Sequence, residues 1–293
     1  MITPLNADLT IDRLAVASIM KTFTKSNCSA FVLGTTGESA SVSERDKTVL
    51  VETTVEQANH RVKVYAGISG NCLQESIDSA NLYAGIGTDA AVAQLPFYFP
   101  MNAGNMIRYF EKIADNINCP LILYNNPMTV KWSIPLDVIE KLSYHPNICG
   151  VKDSERGMER LDMSLIRWAS RTDFSYLLGW TAQSAYALSK GCDGIVPSTA
   201  NLTPQLYRDL YEAAIAGQVD KVAWFQQLSD RITEVYQQDR NISESIPALK
   251  VIMAEFGLCQ TYVLPPMYEA EPDDQLKLRE EIRNVLKETL VNI

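Results

Sequence analysis

Lys152 is the first residue of this chain whose setting invites chemistry, because it ends an apolar run. It follows Ile148-Cys149-Gly150-Val151 and is succeeded by Asp153-Ser154. Such a run reads as a buried strand, and burial disfavours a charged ammonium. A neutral amine attacks a carbonyl carbon and forms a Schiff base, which then draws electrons from the neighbouring carbon. The same lysine, reaching the rim of a sheet and pairing with Asp153, would serve structure alone. Position leaves both readings open.

Other polar groups collect at the ends of similar runs. Tyr124 opens Tyr124-Asn125-Asn126-Pro127, and Tyr98 lies in Pro96-Phe97-Tyr98-Phe99-Pro100. A phenol both donates and accepts a hydrogen bond, so either tyrosine can carry a proton, and either can equally be packing. Gly34-Thr35-Thr36-Gly37-Glu38-Ser39 follows Phe31-Val32-Leu33. It lacks the lysine of a P-loop and the spacing of a dinucleotide fingerprint. Its hydroxyls and backbone N–H groups suit a carboxylate at a helix start, or simply a tight turn with a helix cap. Glu38 reads as a helix N-terminal carboxylate. Gly179-Trp180-Thr181 and Pro197-Ser198-Thr199-Ala200-Asn201 close the set. His60 and His145 sit in turn-like contexts and receive no role. The six cysteines, Cys28, Cys72, Cys119, Cys149, Cys192 and Cys259, are scattered singly. No C-x-x-C pair exists, so no zinc site is expected, and reduced thiols in a cytoplasmic protein are the simpler reading.

These residues need a scaffold that gathers strand ends. Short apolar runs recur at Ile2–Pro4, Ala30–Leu33, Val62–Ile68, Ala90–Leu95, Leu121–Tyr124, Ile148–Val151, Tyr176–Leu178 and Gly194–Val196. Between them lie amphipathic stretches such as Ser43–Ala58, Gln74–Gly85, Asn105–Asn116 and Pro135–Ser143. Strands alternating with helices read as an α/β protein, a (β/α)8 TIM barrel, with a doubly wound sheet as the runner-up. After Val196 every pattern is helical: Gln205–Ala216, Val219–Gln238, Ser245–Phe256 and Asp273–Val291. The expected organisation is a catalytic barrel over 1–215 and a C-terminal helical extension over 216–293. In such a barrel the C-terminal strand ends carry the chemistry, which is where the polar residues fall.

Composition excludes several classes. With 26 Lys+Arg against 35 Asp+Glu, the net charge of −9 leaves no cationic excess for nucleic acid. No run reaches the roughly 18 apolar residues of a membrane span. The opening MITPLNADLTIDR has neither the basic nor the apolar region of a signal peptide.

Together these motifs make the chain resemble the dihydrodipicolinate synthase/N-acetylneuraminate lyase family of pyruvate-dependent lyases. The likeness runs from Thr3-Pro4 onward. It rests on Gly34-Thr35-Thr36-Gly37-Glu38, Pro96-Phe97-Tyr98, Tyr124-Asn125-x-Pro127, Val151-Lys152-Asp153 and Gly194–Asn201. The step from Tyr124 to Lys152, 152 − 124 = 28 residues, matches that family's step from tyrosine to Schiff-base lysine. The resemblance implies that Lys152 forms an imine with pyruvate or a pyruvate-derived 2-oxo acid. Tyr124 would shuttle protons in a relay with Thr35 and Tyr98, the last supplied in the synthase branch by a neighbouring subunit. Thr36 and Gly37 would hold the carboxylate, and the Val196 carbonyl would lie near the lysine. No metal or organic cofactor is implied, and a homo-oligomer, a dimer of dimers, is.

The substrate is less determined than the chemistry. Where synthases of this family carry an arginine for the second carboxylate, this chain has Thr129, which lacks a bidentate cationic grip. Sialic acid lyases place acids after the glycine of the seventh strand; here stand Gly179, Trp180 and Thr181. The regulatory lysine site of some synthases is echoed only by Asn71 and Glu75, with Phe97 in place of a tyrosine. The leading expectation is a 2-keto-3-deoxy acid aldolase or dehydratase type, with Thr129, Gly179 and Thr181 facing the partner substrate. The alternatives are a true 4-hydroxy-tetrahydrodipicolinate synthase or N-acetylneuraminate lyase, and a non-catalytic 2-oxo-acid sensor.

Overall fold

A computed structural model of the chain describes residues 1–290, with side chains to 287. In order, the elements are α1 (Arg13–Lys25), β1 (Ala30–Val32), α2 (Glu44–Ala58), β2 (Val64–Gly67), α3 (Leu73–Ile86), β3 (Ala90–Ala93) and α4 (Ala103–Ala114). There follow β4 (Leu121–Asn125), α5 (Pro127–Val130), α6 (Leu136–Leu142), β5 (Ile148–Asp153), α7 (Met158–Trp168), β6 (Ser175–Leu178) and α8 (Ser184–Ser189). The chain continues through β7 (Gly194–Ile195), α9 (Pro204–Ile215), α10 (Val219–Gln237), α11 (Ile242–Glu255) and α12 (Pro272–Leu290), with 3₁₀ turns at Thr181–Gln183 and Ser198–Asn201. It divides into two compact units, one of Met1–Val62, Ser198–Ala213 and the chain from Gln218 onward, the other of Lys63–Pro197 with Ala214–Gly217.

The second unit is a parallel α/β layer. Strands β2 to β7 pair in sequence order, each parallel to the next. β3 and β4 are buried along their whole lengths, which is why they appear in the sequence as continuous apolar runs rather than alternating ones. The helices between them differ in how they start, and α4 has a side-chain cap that takes up an unpaired N–H group. Asn102 accepts from the Asn105 N–H at the head of α4. Gly150 is dictated by strand packing, since a Cβ there would lie 2.6 Å from the Ser175 carbonyl oxygen of β6.

In the first unit α1 packs on α2, and α10, α11 and α12 pack on one another. Asp12 caps α1 through the Leu14 and Ala15 N–H groups, Ser43 caps α2 through Asp46, and Asn241 with Glu244 forms a capping box on α11. The eight-residue stretch Ile246–Met253 of α11 is buried on every side, Lys250 included.

Seven strands are present among the described residues, not eight. The expected strand Ile2–Pro4 is a correction: its neighbour Leu5 makes only an isolated antiparallel bridge to Ile11. Side chains and loops hold this segment instead. The Ile2 N–H donates to Asn201 Oδ1 at 2.8 Å, and Thr3 Oγ1 donates to the Gly37 carbonyl at 2.6 Å. The Val291 end of the expected last helix lies outside the described residues. No described helix is long and apolar enough to cross a membrane.

Candidate active site

The site is set by the register between β4 and β5. Tyr124 pairs with Lys152 and Asn125 with Asp153, so the 28-residue step noted in the sequence is a strand register. Side chains alternate across a strand, which puts Tyr124 and Lys152 on one face and Asn125 and Asp153 on the other. Lys152 is 7% exposed and Tyr124 4%. The Lys152 Nζ lies 3.5 Å from the centroid of the Tyr124 ring and donates to Ser154 Oγ at 3.3 Å. The Tyr124 hydroxyl accepts from Asn126 Nδ2 at 3.2 Å.

The opposite face carries a buried polar network that sequence reading missed. Asp153 is fully buried and receives Arg160 Nε from α7 at 2.8 Å, Asn125 Nδ2 at 2.8 Å and the Glu155 N–H at 3.0 Å. Asn125 also donates to Glu155 Oε2 at 2.8 Å and accepts from the Ile134 N–H at 2.9 Å. Burial pushes the Asp153 carboxyl above the usual carboxylate range, while Arg160, Asn125 and the Glu155 N–H pull it back. Because Asn125 and Asp153 each follow a site residue in the chain, this network fixes the backbone from which Tyr124 and Lys152 project. An amide, two acids and an arginine spread over 125–160 gave no local spacing signal.

Neutral groups continue the hydrogen-bond chain from Tyr124. Thr129 Oγ1 donates to the Asn126 carbonyl at 3.1 Å and accepts from Gln94 Nε2 at 3.2 Å. Thus Thr129 is joined to Tyr124 through Asn126, and Gln94, which the sequence did not single out, joins them from the end of β3. The Gly179 N–H donates to the Asp153 carbonyl at 2.6 Å, and a Cβ on Gly179 would come within 2.0 Å of Ser154 Oγ. The Thr181 carbonyl accepts from Ser184 Oγ at the start of α8. The Val196 N–H donates to the Leu178 carbonyl, carrying the sheet pairing one residue past β7. Tyr98 is 72% exposed, its ring edge-on to Phe99 at 4.9 Å. Its hydroxyl is not gathered with Tyr124 and Lys152 by any contact among the described residues.

Thr35, Thr36 and Gly37 belong to the first unit. The Gly37 N–H is spent on the Gly34 carbonyl at 3.1 Å and the Glu38 N–H on the Thr35 carbonyl at 3.0 Å. Glu38 is corrected from a helix-start carboxylate. It lies six residues before α2 (44 − 38 = 6), has φ 55°, and its Oε1 meets Lys250 Nζ at 2.5 Å, both side chains being inaccessible to solvent. Burial lowers the Lys250 pKa, and Glu38 opposes that shift. A lone cation in the apolar run Ile246–Met253 was the available signal for this pair. Among the described residues no group of His, Cys, Asp and Glu could hold a metal ion.

Comparison with known proteins places this geometry. The model of the dihydrodipicolinate synthetase family matches residues 1–285. The chain is 30% identical over 281 residues to a 4-hydroxy-tetrahydrodipicolinate synthase of Neisseria meningitidis, covering 95% of this chain and 94% of that one. Among solved structures it is similar to dihydrodipicolinate synthase from Bacteroides thetaiotaomicron, with 29% identity, a TM-score of 0.92, and 97% and 96% of the two chains covered. It is also similar to YagE, a prophage protein from E. coli K12 solved in complex with pyruvate, at 25% identity and a TM-score of 0.90, with 97% and 96% covered.

Proposed function

This chain belongs to the dihydrodipicolinate synthetase family and is an enzyme of the lyase class, and from that premise we propose that it is a Schiff-base-forming aldolase or dehydratase for pyruvate-derived 2-oxo acids. The observation that carries the proposal is the pairing of Lys152 with Tyr124 on adjacent strand ends, amine against phenol, both nearly sealed from solvent. The reading brings with it a TIM-type barrel over 1–215, with the strandless segment Ile2–Pro4 in the place of its first strand, and the helical extension over 216–293.

Lys152 Nζ attacks the keto carbon, and loss of water leaves an imine. The protonated imine withdraws electrons as the neighbouring carbon–carbon or carbon–oxygen bond breaks or forms. Tyr124 moves protons on and off the substrate oxygen, its hydroxyl oriented by Asn126. Thr36, with Gly37 in the same turn, holds the carboxylate so that the keto carbon meets the amine in reactive geometry, and Thr35 stands in the proton relay with Tyr124. Tyr98 joins the relay from a second copy of the chain, consistent with its exposure beside Phe97 and Phe99. The assembly is a dimer of dimers.

Gln94, Asn126 and Thr129 form an uncharged row beside Tyr124, which suits a hydroxylated partner better than a second carboxylate. A 2-keto-3-deoxy acid is therefore favoured over the substrate of the named synthase relatives. Incubation with pyruvate, borohydride reduction and peptide mass mapping tests the mechanism. The expected result is a single reduced adduct on Lys152; folded protein with Lys152 unmodified sinks it. Pyruvate release from 2-keto-3-deoxy acids, set against turnover with aspartate semialdehyde, then decides between the two substrate classes.

A further inference from the structure

The loop that follows β1 is held in a conformation its own residues do not favour. Leu33 (φ 56°) and Glu38 (φ 55°) bracket it in the left-handed region, which side chains with a Cβ avoid. Within the loop, the Gly34 carbonyl accepts from Gly37 and the Thr35 carbonyl from Glu38, while the Thr36 N–H meets no protein acceptor among the described residues. Three anchors reach this loop from distant parts of the same unit. Thr3 Oγ1 donates to the Gly37 carbonyl at 2.6 Å. The Leu264 N–H donates to Glu38 Oε2 at 2.8 Å. Lys250 Nζ meets Glu38 Oε1 at 2.5 Å and donates to the Tyr262 carbonyl at 2.6 Å.

A buried ion pair is a poor device for stability alone, because two charges lose their hydration and apolar side chains fill the same space as well or better. Its particular property is direction: the pair is satisfied in one geometry and penalises every other. Glu38 is the last residue of the turn that presents Thr35 and Thr36, so fixing its carboxylate fixes the turn.

We infer that Glu38 and Lys250, with Thr3, are positioning residues that hold the Thr35–Thr36 turn in the shape that receives the substrate carboxylate. The inference rests on the reading of the site given above and adds to it residues that touch no substrate atom. It makes carboxylate recognition depend on a pair closed by residues 212 positions apart (250 − 38 = 212).

The test is borohydride trapping at Lys152, titrated with pyruvate and separately with hydroxyacetone, a ketone without a carboxylate. The proteins are wild type, Thr3→Val, Lys250→Met and the double variant Glu38→Gln/Lys250→Met, each checked for folding by near-UV circular dichroism. The double variant removes both charges, so no orphaned ion is left to unfold it. In Lys250→Met and in the double variant the half-saturating pyruvate concentration is expected to rise by about tenfold or more. The hydroxyacetone titration should move by less than about twofold, and labelling at saturation should be unchanged. Thr3→Val, which removes one hydrogen bond and no charge, should shift the pyruvate titration in the same direction by a smaller factor. Equal shifts for both ketones, or no pyruvate shift in a folded double variant, overturn the positioning role. Absence of any Lys152 adduct in the wild-type protein overturns the catalytic reading itself, and this inference with it.

Discussion

Tyr124 turns the face of its ring to the Lys152 amine and its hydroxyl to Asn126, so in the mechanism proposed above a single side chain supplies both a wall and a proton carrier. The two functions separate in Tyr124→Phe, which keeps the ring and loses the oxygen. The loss of the hydrogen bond from Asn126 is expected to lower stability by about 1 kcal/mol, as for an uncharged partner. Turnover should fall by about 100-fold or more, the usual contribution of a placed proton-transfer group. A thermal melt beside steady-state kinetics checks both, and full activity in the variant would remove Tyr124 from the mechanism. At this scale the sequence was informative about Lys152 and Tyr124, because a cation or a phenol closing an apolar run conflicts with its surroundings. It was silent on Asp153 as a network centre, on Gln94, and on Glu38 with Lys250. Each of those owes its role to a partner in another element, and pairings across a fold leave no local spacing.

Helix α12 is clamped to α11 by Glu255, whose carboxylate takes Arg283 and Arg279. The Arg283 hydrogen bond leads in holding the Glu255 carboxyl below its ordinary value of 4.5. A carboxylate whose folded value is depressed adds stability above its unfolded value and loses it as pH falls through the folded one. The melting-temperature gap between wild type and Glu255→Gln should therefore be present at pH 7, shrink as pH drops below about 4.5, and close in stronger acid. A gap that persisted at pH 2 would show that the clamp acts through something other than charge. Most elements were legible for reasons of the same local kind. Ser43 marked the start of α2, and Ala90–Ala93 and Leu121–Asn125 announced buried strands by apolar runs. α1 was passed over although Asp12 caps it and Ala15, Val16, Ile19, Met20 and Phe23 fall at helical spacing on its buried face. Ile2–Pro4 failed as a strand because the Ile2 N–H goes to the Asn201 side chain and the Pro4 carbonyl accepts from the Asp12 N–H, in place of a ladder.

For the molecule as a whole, the net charge of −9 opposes the anionic substrate proposed for it. Fields from scattered surface charges are screened over about 10 Å at ordinary ionic strength, so local donors decide binding. In the reading proposed above, assembly matters more to the site. Phe97, Tyr98 and Phe99 are exposed side by side, an apolar group of the kind that marks a contact surface. Sedimentation velocity should find a species of four times 32.7 kDa in the wild type, and a smaller one in Tyr98→Asp with reduced turnover. A Tyr98→Asp protein that remains a fully active tetramer would remove this segment from the interface.

The missing Cβ of Gly179 bears on the order in which changes at this site are tolerated. A side chain at 179 would meet Ser154 Oγ at 2.0 Å, Ser154 Cβ at 3.0 Å and the Asp153 carbonyl at 3.2 Å. Two of those three obstacles belong to Ser154, the residue just past the end of β5. Gly179→Ala alone should melt lower and label Lys152 more slowly, whereas Ser154→Gly followed by Gly179→Ala should recover much of both. A double variant no better than Gly179→Ala alone would show that the Asp153 backbone is the true obstacle. With the rescue found, the two positions form a historical lock: one order of substitution stays passable and the reverse runs through a damaged intermediate, although both end at the same sequence.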